Sequence, residues 1–244
     1  MASNLVWRGR SRRLATLLTP SFSLKEFDCQ AANVTLGEAH AAMTHLVHLD
    51  PLLFEAGDRL GREEFLARWE LMPALRFAEL IDGVVYLPSP VSIEHARNDQ
   101  ILQLWAGLYA SRSALVEALA NGTWLMGESA PQPDLALRVR PELGGQSHDA
   151  GKYPAGAPEL VAEVSGSTRS YDLGPKLSLY AREGVREYLA VLLEERRLEW
   201  RVLREGRFEL IPPDNSGIRR SIIFPGLWLD ERAFWTKDNP RDPA

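Results

Sequence analysis

The most regular alternation of apolar and polar residues in the chain lies in the segment Glu159–Val164. Glu163 shares one face of this segment with Val161, whereas the opposite face carries only apolar residues: Leu160, Ala162 and Val164. A period of two residues predicts a β-strand, and the apolar content predicts that the strand is buried. A carboxylate in such a strand costs free energy unless it is paired. Glu163 therefore marks a position where we expect a functional site.

A loop and a helix are predicted to follow this strand. Ser165–Ser170 is rich in hydroxyl residues and glycine, which is typical of a loop. Asp172 is predicted to cap the next helix, which tolerates Pro175 in its first turn and ends at Gly184. Because the apolar run Glu187–Leu193 comes next, the whole unit predicts a right-handed parallel β–α–β crossover.

Two helices and a hairpin are predicted to precede the crossover. Arg62–Met72 has helical spacing, with an apolar stripe formed by Phe65, Leu66 and Trp69. Arg76–Ile81 and Val84–Leu87 predict two strands joined at Asp82-Gly83, a strong hairpin signal. Val91–Tyr109 predicts a long second helix, whose buried stripe is expected to contain Ile101, Leu104, Trp105 and Leu108.

Short apolar runs predict the remaining strands: Thr123–Met126, Asp134–Val139, Leu198–Leu203 and Phe208–Ile211. Ala110–Gly122 is predicted to be helix or loop, and Arg140–Pro158 a long loop of the kind that is often functional or mobile. The tail Ser221–Trp235 predicts one strand and a short helix. The order of elements indicates an α/β fold over residues 61–236, with a mixed central β-sheet flanked by helices.

Composition and charge narrow the class of protein. Hydrophobic residues make up 45% and charged residues 25% of the 244 residues, as in ordinary soluble globular proteins. Cys29 is the single cysteine, which excludes an intrachain disulfide or a cysteine-based metal cluster and suits the cytoplasm. No apolar run approaches the roughly 18 residues that span a membrane. The net charge of -5 argues against a strong non-specific DNA binder but allows a local basic cleft.

The two ends of the chain are predicted to lie outside the folded domain. Residues 1–60 are expected to form an N-terminal extension that is partly ordered or helical, and residues 237–244 a flexible tail. The first residues are basic and poor in acids, which permits a transit peptide, although a flexible arm is the favoured interpretation. His45 and His48 have a spacing that a metal site could use, but a surface or packing pair is the favoured interpretation.

Four charged residues stand where apolar or small ones would serve the structure better: Glu79, Asp134, Glu163 and Lys176. Asp134 and Glu163 belong to strands that are predicted to be close, and two adjacent carboxylates repel unless a cation lies between them. Mg²⁺ binds such oxygen ligands and can activate water for attack on a phosphodiester. A nearby lysine can orient that water or stabilise negative charge. The set therefore predicts a metal-dependent site.

The chain resembles the Uma2 family, a branch of the PD-(D/E)XK restriction-endonuclease-like superfamily. The segments that carry the resemblance lie in order between Arg62 and Trp235: FAELIDGVVYLPSPVSIEH, QPDLAL, PELVAEVSGSTRSYDLGPKLSLYAREGVREY and FPGLWLDERAFW. The resemblance implies a restriction-endonuclease-like fold and an Mg²⁺- or Mn²⁺-dependent endonuclease that hydrolyses phosphodiester bonds of DNA, with RNA as the less favoured alternative substrate. It also implies a homodimer, for which Leu198–Ile211 offers a strand edge, with no association with membranes.

The resemblance also implies roles for individual residues. Asp134 and Glu163 would bind the metal together with the backbone carbonyl of Val164, and Glu79 would support the metal or its waters. The lysine that usually stands two residues after the second carboxylate is replaced here by a serine. Lys176, on the following helix, would take its place.

Less specific interpretations of the same residues remain open. Lys176 could be a solvated helix lysine, Glu79 a cross-strand partner of a base such as Arg76, and Asp134 the start of a strand. His95 is expected to be a partly exposed helical histidine, and Tyr180 a core residue. The alternative function is a catalytically inactive nucleic-acid-binding or protein-interaction module on the same fold. An enzyme that acts on another phosphate ester is a third candidate.

Overall fold

A computed structural model describes residues 53–238. The predicted N-terminal extension up to residue 52, with His45 and His48, lies outside the described residues, as does the tail from residue 239. Within the described range, no helix has the length and hydrophobicity needed to cross a membrane.

The strands that the structure describes are, in chain order, β1 (Glu79–Ile81), β2 (Val84–Tyr86), β3 (Val116–Ala120), β4 (Leu135–Val139), β5 (His148–Ala150), β6 (Tyr153–Ala155), β7 (Leu160–Ser165), β8 (Glu187–Leu192), β9 (Arg197–Arg204), β10 (Arg207–Leu210), β11 (Ile218–Arg220) and β12 (Trp228–Asp230). Six of them form the central sheet, in the order β10-β9-β8-β7-β4-β3. Strands β7 and β8 are parallel and the other neighbouring pairs are antiparallel. The predicted mixed sheet is therefore confirmed.

The helices of the described range are α1 (Arg62–Glu70), α2 (Ile93–Ser111), α3 (Arg169–Tyr171), α4 (Leu177–Glu183) and α5 (Glu231–Asp238). A π-helical segment, Asp172–Lys176, joins α3 to α4, so the crossover between β7 and β8 is one irregular helical stretch. Gly184 ends this stretch in the left-handed conformation, with φ of 91°, as its position predicts.

The alternation in β7 divides the core between the two faces of the sheet. Leu160, Ala162 and Val164 pack on the face covered by α2, together with Leu102 of that helix and Phe234 of α5. The other face is covered by α4, where Tyr180 packs against Tyr188 of β8. Glu163 belongs to this second face, because it lies two residues from Val161, which packs there.

The predicted buried stripe of α2 is half wrong: Ile101 and Trp105 pack against the core, but Leu104 and Leu108 do not. Leu104 and Leu108 are 60% and 53% exposed, whereas the fully buried residues of the helix are Asn98, Leu102 and Ala106. These three are spaced by four residues and face the sheet. The predicted stripe follows the largest apolar side chains of the helix. The fully buried face instead carries one leucine, one alanine and one asparagine.

Four predicted boundaries or elements differ from the structure. Ala110–Gly122 is not helix or loop throughout, because it contains β3, which pairs with β4. Thr123–Met126 is not a strand, since only isolated bridges occur there. The predicted long loop Arg140–Pro158 contains the β5–β6 hairpin. Asp172 does not cap a helix, because the helical stretch begins at Arg169. The tail from Ser221 contains one strand, β12, followed by helix α5, as predicted, and β12 pairs with β11, which lies just before the tail.

Candidate active site

Asp134 and Glu163 meet where β4 begins and β7 ends. The antiparallel register pairs Leu135 with Ala162, so the next residues outward along the two strands are Asp134 and Glu163. Each of the two side chains contacts a backbone N–H of the neighbouring strand. The backbone N–H of Val164 donates to Oδ2 of Asp134 at 2.7 Å, and the backbone N of Asp134 lies 3.4 Å from Oε2 of Glu163. Strand pairing thus fixes the two carboxylates side by side.

Lys176 reaches Glu163 from the helical stretch and not from the strand. Its Nζ lies 2.7 Å from Oε1 of Glu163, and its side chain is only 4% exposed. Lys176 is the last residue of the π-helical segment, whose extra backbone residue changes the direction in which the side chain leaves the helix. Ser165 occupies the strand position two residues after Glu163, where it is buried and its Oγ has no hydrogen-bond partner.

Glu79 brings the β1–β2 hairpin into the same cluster. Its Oε1 lies 2.9 Å from Nζ of Lys176 and also accepts a hydrogen bond from the backbone N–H of Gln132 at 2.6 Å. The Gln132 side chain is held in turn by Thr123, whose Oγ1 accepts from Nε2 at 2.8 Å. Glu79 is thus a direct partner of Lys176, and not a cross-strand partner of Arg76.

Two tyrosines and a further carboxylate enclose Lys176. Tyr180 donates its hydroxyl to Oε1 of Glu163 at 2.8 Å, and the ring of Tyr171 lies 5.5 Å from Nζ of Lys176. Asp172 is buried, with Oδ1 4.0 Å from Nζ of Lys176 and Oδ2 accepting from Thr168 at 2.7 Å. Lys176 therefore lies among three carboxylates in a nearly dry environment.

The cluster contains more acidic side chains than basic ones, and burial changes the pKa values of several of them. Burial raises the pKa of Asp134 to about 6, against the lowering effects of the Val164 N–H and Lys176. Burial also raises the pKa of Glu163 well above its ordinary value, although Lys176 opposes the shift. For Lys176, burial disfavours the charged form, but attraction to Glu163 and then to Glu79 outweighs it and raises the pKa. The lysine is therefore charged, and the carboxyl groups of Asp134 and Glu163 retain protons more readily than isolated ones.

The chemistry of the donor set fits a hard divalent cation. Asp134 and Glu163 present carboxylate oxygens side by side, and burial raises the pKa of both groups, so a cation bound between them would stabilise their ionised forms. No group of three or more His, Cys, Asp or Glu side chains in residues 53–238 is arranged as a metal site. The set that fits is therefore the two carboxylates, and Mg²⁺ is commonly bound by one or two carboxylates together with water or phosphate.

All four residues predicted from the sequence come together at one cluster: Glu79, Asp134, Glu163 and Lys176. Sequence reasoning missed the hydrogen bond from Tyr180 and the burial of Asp172 beside Lys176. Asp172 and Lys176 are four residues apart, a helical spacing that could have indicated the second contact. For Tyr180 the sequence contained no such signal, because its helical spacing equally fits a core residue.

Comparisons with known proteins agree with this architecture. Residues 62–232 match the model of the Uma2 family, which is described as "Putative restriction endonuclease". Among solved structures, the fold is similar to that of a "putative nuclease belonging to DUF820" from Anabaena variabilis ATCC 29413, with a TM-score of 0.58 and 12% sequence identity. That similarity covers 73% of this chain and 99% of the other. No curated protein matches the chain.

Proposed function

The chain belongs to the Uma2 family, and from this premise we propose that it is a metal-dependent nuclease that hydrolyses phosphodiester bonds of DNA. The observation that carries the proposal is the contact of Lys176 with Glu163, directly beside Asp134 at the paired strand ends. Two carboxylates and a lysine at such a point are the groups that metal-assisted phosphodiester hydrolysis requires.

In this proposal Asp134 and Glu163 bind Mg²⁺ or Mn²⁺, with the backbone carbonyl of Val164 as a further ligand. An ion held there would supply polarisation of the phosphodiester and a lowered pKa of a water molecule. The chain's own contribution is orientation, because the Val164 N–H holds Asp134 and the Tyr180 hydroxyl holds Glu163. Both carboxylates are thereby fixed before substrate arrives, which reduces the reorganisation needed at the reacting phosphate.

Lys176 has two roles in this scheme. Its ammonium group stabilises the ionised form of Glu163, and it supplies positive charge next to the attacking water or the phosphate. Glu79 holds Lys176 from the other side through the 2.9 Å contact. Because the lysine is 4% exposed, it acts from behind the carboxylates, and the substrate approaches from the more open side of Asp134.

An endonuclease assay on purified wild-type protein tests the proposal. Supercoiled plasmid, single-stranded circular DNA and a structured RNA are incubated separately with Mg²⁺, Mn²⁺ or EDTA. The proposal expects cleavage of closed circular DNA with either metal, no cleavage in EDTA, and slower cleavage of RNA. Absence of cleavage with both metals, in protein that is folded by circular dichroism, would contradict it.

One observation favours the alternative of an inactive module. Lys176 is already in contact with both Glu79 and Glu163, so it could serve only to neutralise buried acids. The same assay separates the two functions when nucleic-acid binding is measured in parallel by fluorescence anisotropy. Binding without metal-dependent cleavage would favour a nucleic-acid-binding module, whereas neither activity would favour a protein-interaction module.

A further inference from the structure

The candidate active site is open to solvent along one side. The side chains of Asp134 and Glu79 are 19% and 17% exposed, whereas those of Glu163, Lys176 and Asp172 are each 4% exposed. A polymeric substrate therefore reaches the site at the side where Asp134 and Glu79 lie. Both of these groups are acidic, so the open side itself repels a phosphate.

His95 also lies on this open side. It belongs to the first turn of α2, its side chain is 22% exposed, and Nε2 lies 3.8 Å from Oδ2 of Asp134. Helix α2 packs on the opposite face of the sheet from Lys176, so its N-terminal end reaches Asp134 around the start of β4. His95 thus stands on the other side of Asp134 from the lysine.

Within residues 53–238, the imidazole of His95 makes no hydrogen bond. Nδ1 is buried without a partner, and the 3.8 Å between Nε2 and Asp134 exceeds a hydrogen-bond distance. A histidine that only supports the fold normally has its buried nitrogen satisfied. Because Nδ1 is enclosed, Nε2, which lies near Asp134, is the nitrogen that remains available to a group that approaches the site.

The buried face of α2 changes character along its length. Near its start it carries His95, Asn98 and Asp99, and farther along it carries Leu102 and Ala106, which pack in the apolar core. Asn98 is fully buried, yet its Oδ1 has no partner, and the buried Oδ1 of Asp99 also has none. Unsatisfied buried polar atoms are costly. His95, Asn98 and Asp99 are grouped at the end of the helix next to Asp134, which indicates that this part of the helix is a polar lining of the site and not a packing surface.

We propose that His95 donates a hydrogen bond from its imidazole to a phosphate oxygen of the nucleic-acid substrate at the open side of the site. This inference rests on the proposed function, since it names a substrate contact of the same site. Either neutral tautomer carries one N–H, so the contact does not require a charged histidine. The first turn of a long helix is also a favourable place for an anion, because the helix dipole is positive there.

Fluorescence anisotropy with a short labelled DNA duplex in Ca²⁺ buffer tests the contact, and gels of the same samples check that the duplex stays intact. His95→Leu removes the donor, and His95→Gln keeps an N–H close to the position of Nε2. His148→Leu is the matched control, because His148 is exposed on β5, away from the cluster. Thermal unfolding of each variant verifies that it is folded.

The expected result is a dissociation constant that rises about tenfold in His95→Leu, as expected for loss of one hydrogen bond to a charged group. His95→Gln should recover most of the affinity, and His148→Leu should bind as wild type does. Wild-type affinity in His95→Leu, or equal losses in the leucine and glutamine variants, would overturn the contact, and so would a wild type that does not bind the duplex.

The contact and the proposed function can fail separately. If wild type cleaves DNA with Mg²⁺ while binding is indifferent to His95, the contact is wrong and the nuclease function stands. If the variants follow the expected order of affinity but wild type cleaves nothing, the contact stands and the nuclease function is wrong.

Discussion

Lys176 determines the electrostatic balance of the candidate site at the scale of single residues. It is the cation among Glu79, Glu163 and Asp172, and each of these four side chains is largely or wholly buried. A buried ion pair is seldom a net source of stability, but removal of one partner leaves an uncompensated charge. The stability of the folded protein should therefore depend strongly on keeping both partners or neither.

A double-mutant cycle on Lys176→Met and Glu163→Gln measures this dependence. At pH 8, urea unfolding should show that Lys176→Met lowers the free energy of unfolding by about 3–5 kcal/mol, because Glu163 and Glu79 lose their counter-charge. The double variant should lose less than the sum of the two single losses, by about 1–3 kcal/mol. Strict additivity of the two losses would mean that the 2.7 Å contact between the two side chains carries no coupling.

Asp134 gives a pH-dependent prediction for the metal-free protein. Its pKa rises from 3.8 in the unfolded chain to about 6 in the folded protein, mainly through burial. The folded state therefore holds this proton more tightly. Below pH 3.8 the carboxyl does not lower the free energy of unfolding, and above about pH 6 it lowers that free energy by its full amount. Asp134→Asn, which can still accept from the Val164 N–H, removes that cost.

Thermal and urea unfolding in EDTA at pH 4 and pH 8 measure this effect. Asp134→Asn should stabilise the protein at pH 8 by about 1–3 kcal/mol and have little effect at pH 4. Asp149→Asn is the control, because the Asp149 side chain is 70% exposed and its partner Arg138 keeps a second carboxylate partner, Glu117. Destabilisation of Asp134→Asn at pH 8 would show that the ionised carboxylate supports the metal-free fold.

Some elements could be predicted from the sequence because a local rule agrees with the packing around them. The strand β7 has a strict two-residue alternation, the hairpin β1–β2 has Asp82-Gly83 at its turn, and the helical stretch ends at Gly184 in a left-handed conformation. In each case the residues that set the local conformation are also those that the tertiary structure requires.

Other elements depend on information that lies elsewhere in the chain. Strand β3, Val116–Ala120, has weak local character and is a strand because β4 pairs with it. The π-helical segment places Pro175 inside a continuous helical stretch, whereas a proline at that point suggested a helix start. Lys176 owes its direction to this segment. The sequence could therefore indicate that the lysine belongs to the site, but not how it reaches Glu163.

A buried carboxylate outside the candidate site fastens the C-terminal hairpin to the sheet. Glu187 of β8 accepts hydrogen bonds from the indole of Trp200 and from three groups of the segment before β12: the Ser221 hydroxyl and the backbone N–H groups of Ile222 and Ile223. In Glu187→Gln an NH₂ group replaces one of the two accepting oxygens, so that a donor of the glutamine faces a donor of the protein. The segment should then be held less tightly.

Hydrogen exchange measures this loss directly. The amides of Ile222 and Ile223 should lose protection in Glu187→Gln, and the free energy of unfolding should fall by about 1–3 kcal/mol. Glu209→Gln is the matched control, since Glu209 is an exposed residue of β10. Nuclease activity should be unchanged in folded Glu187→Gln protein. Unaltered exchange at both amides would mean that the hairpin is held by its apolar contacts instead.

At the scale of the whole molecule, the site is assembled from segments that are far apart in sequence. Glu79 comes from a hairpin beside the main sheet, Asp134 and Glu163 from two of its central strands, and Lys176 from the crossover. The sequence could indicate these four residues because each breaks a local pattern. It could not indicate His95 with the same strength, because a partly exposed histidine at the start of a helix breaks no pattern.

The acidic character of the molecule bears on how it can bind nucleic acid. A net charge of -5 and carboxylates at the centre of the cluster both oppose a phosphate backbone. A divalent cation at Asp134 and Glu163 would reverse the sign of the interaction at the point of contact. In the proposed function, a metal at these two residues would therefore be needed for substrate to approach as well as for hydrolysis.

The most direct test is the rate at which Mn²⁺ supports nicking of supercoiled plasmid by wild type, Asp134→Asn and Asp149→Asn under single-turnover conditions. If Asp134 binds the metal, Asp134→Asn should lose about 100-fold or more of the cleavage rate, while its folded structure remains at least as stable at pH 8. Asp149→Asn should cleave within about twofold of wild type, as expected for a substitution at an exposed residue. Equal cleavage by wild type and Asp134→Asn, or cleavage that persists in EDTA, would contradict a metal-dependent site at Asp134.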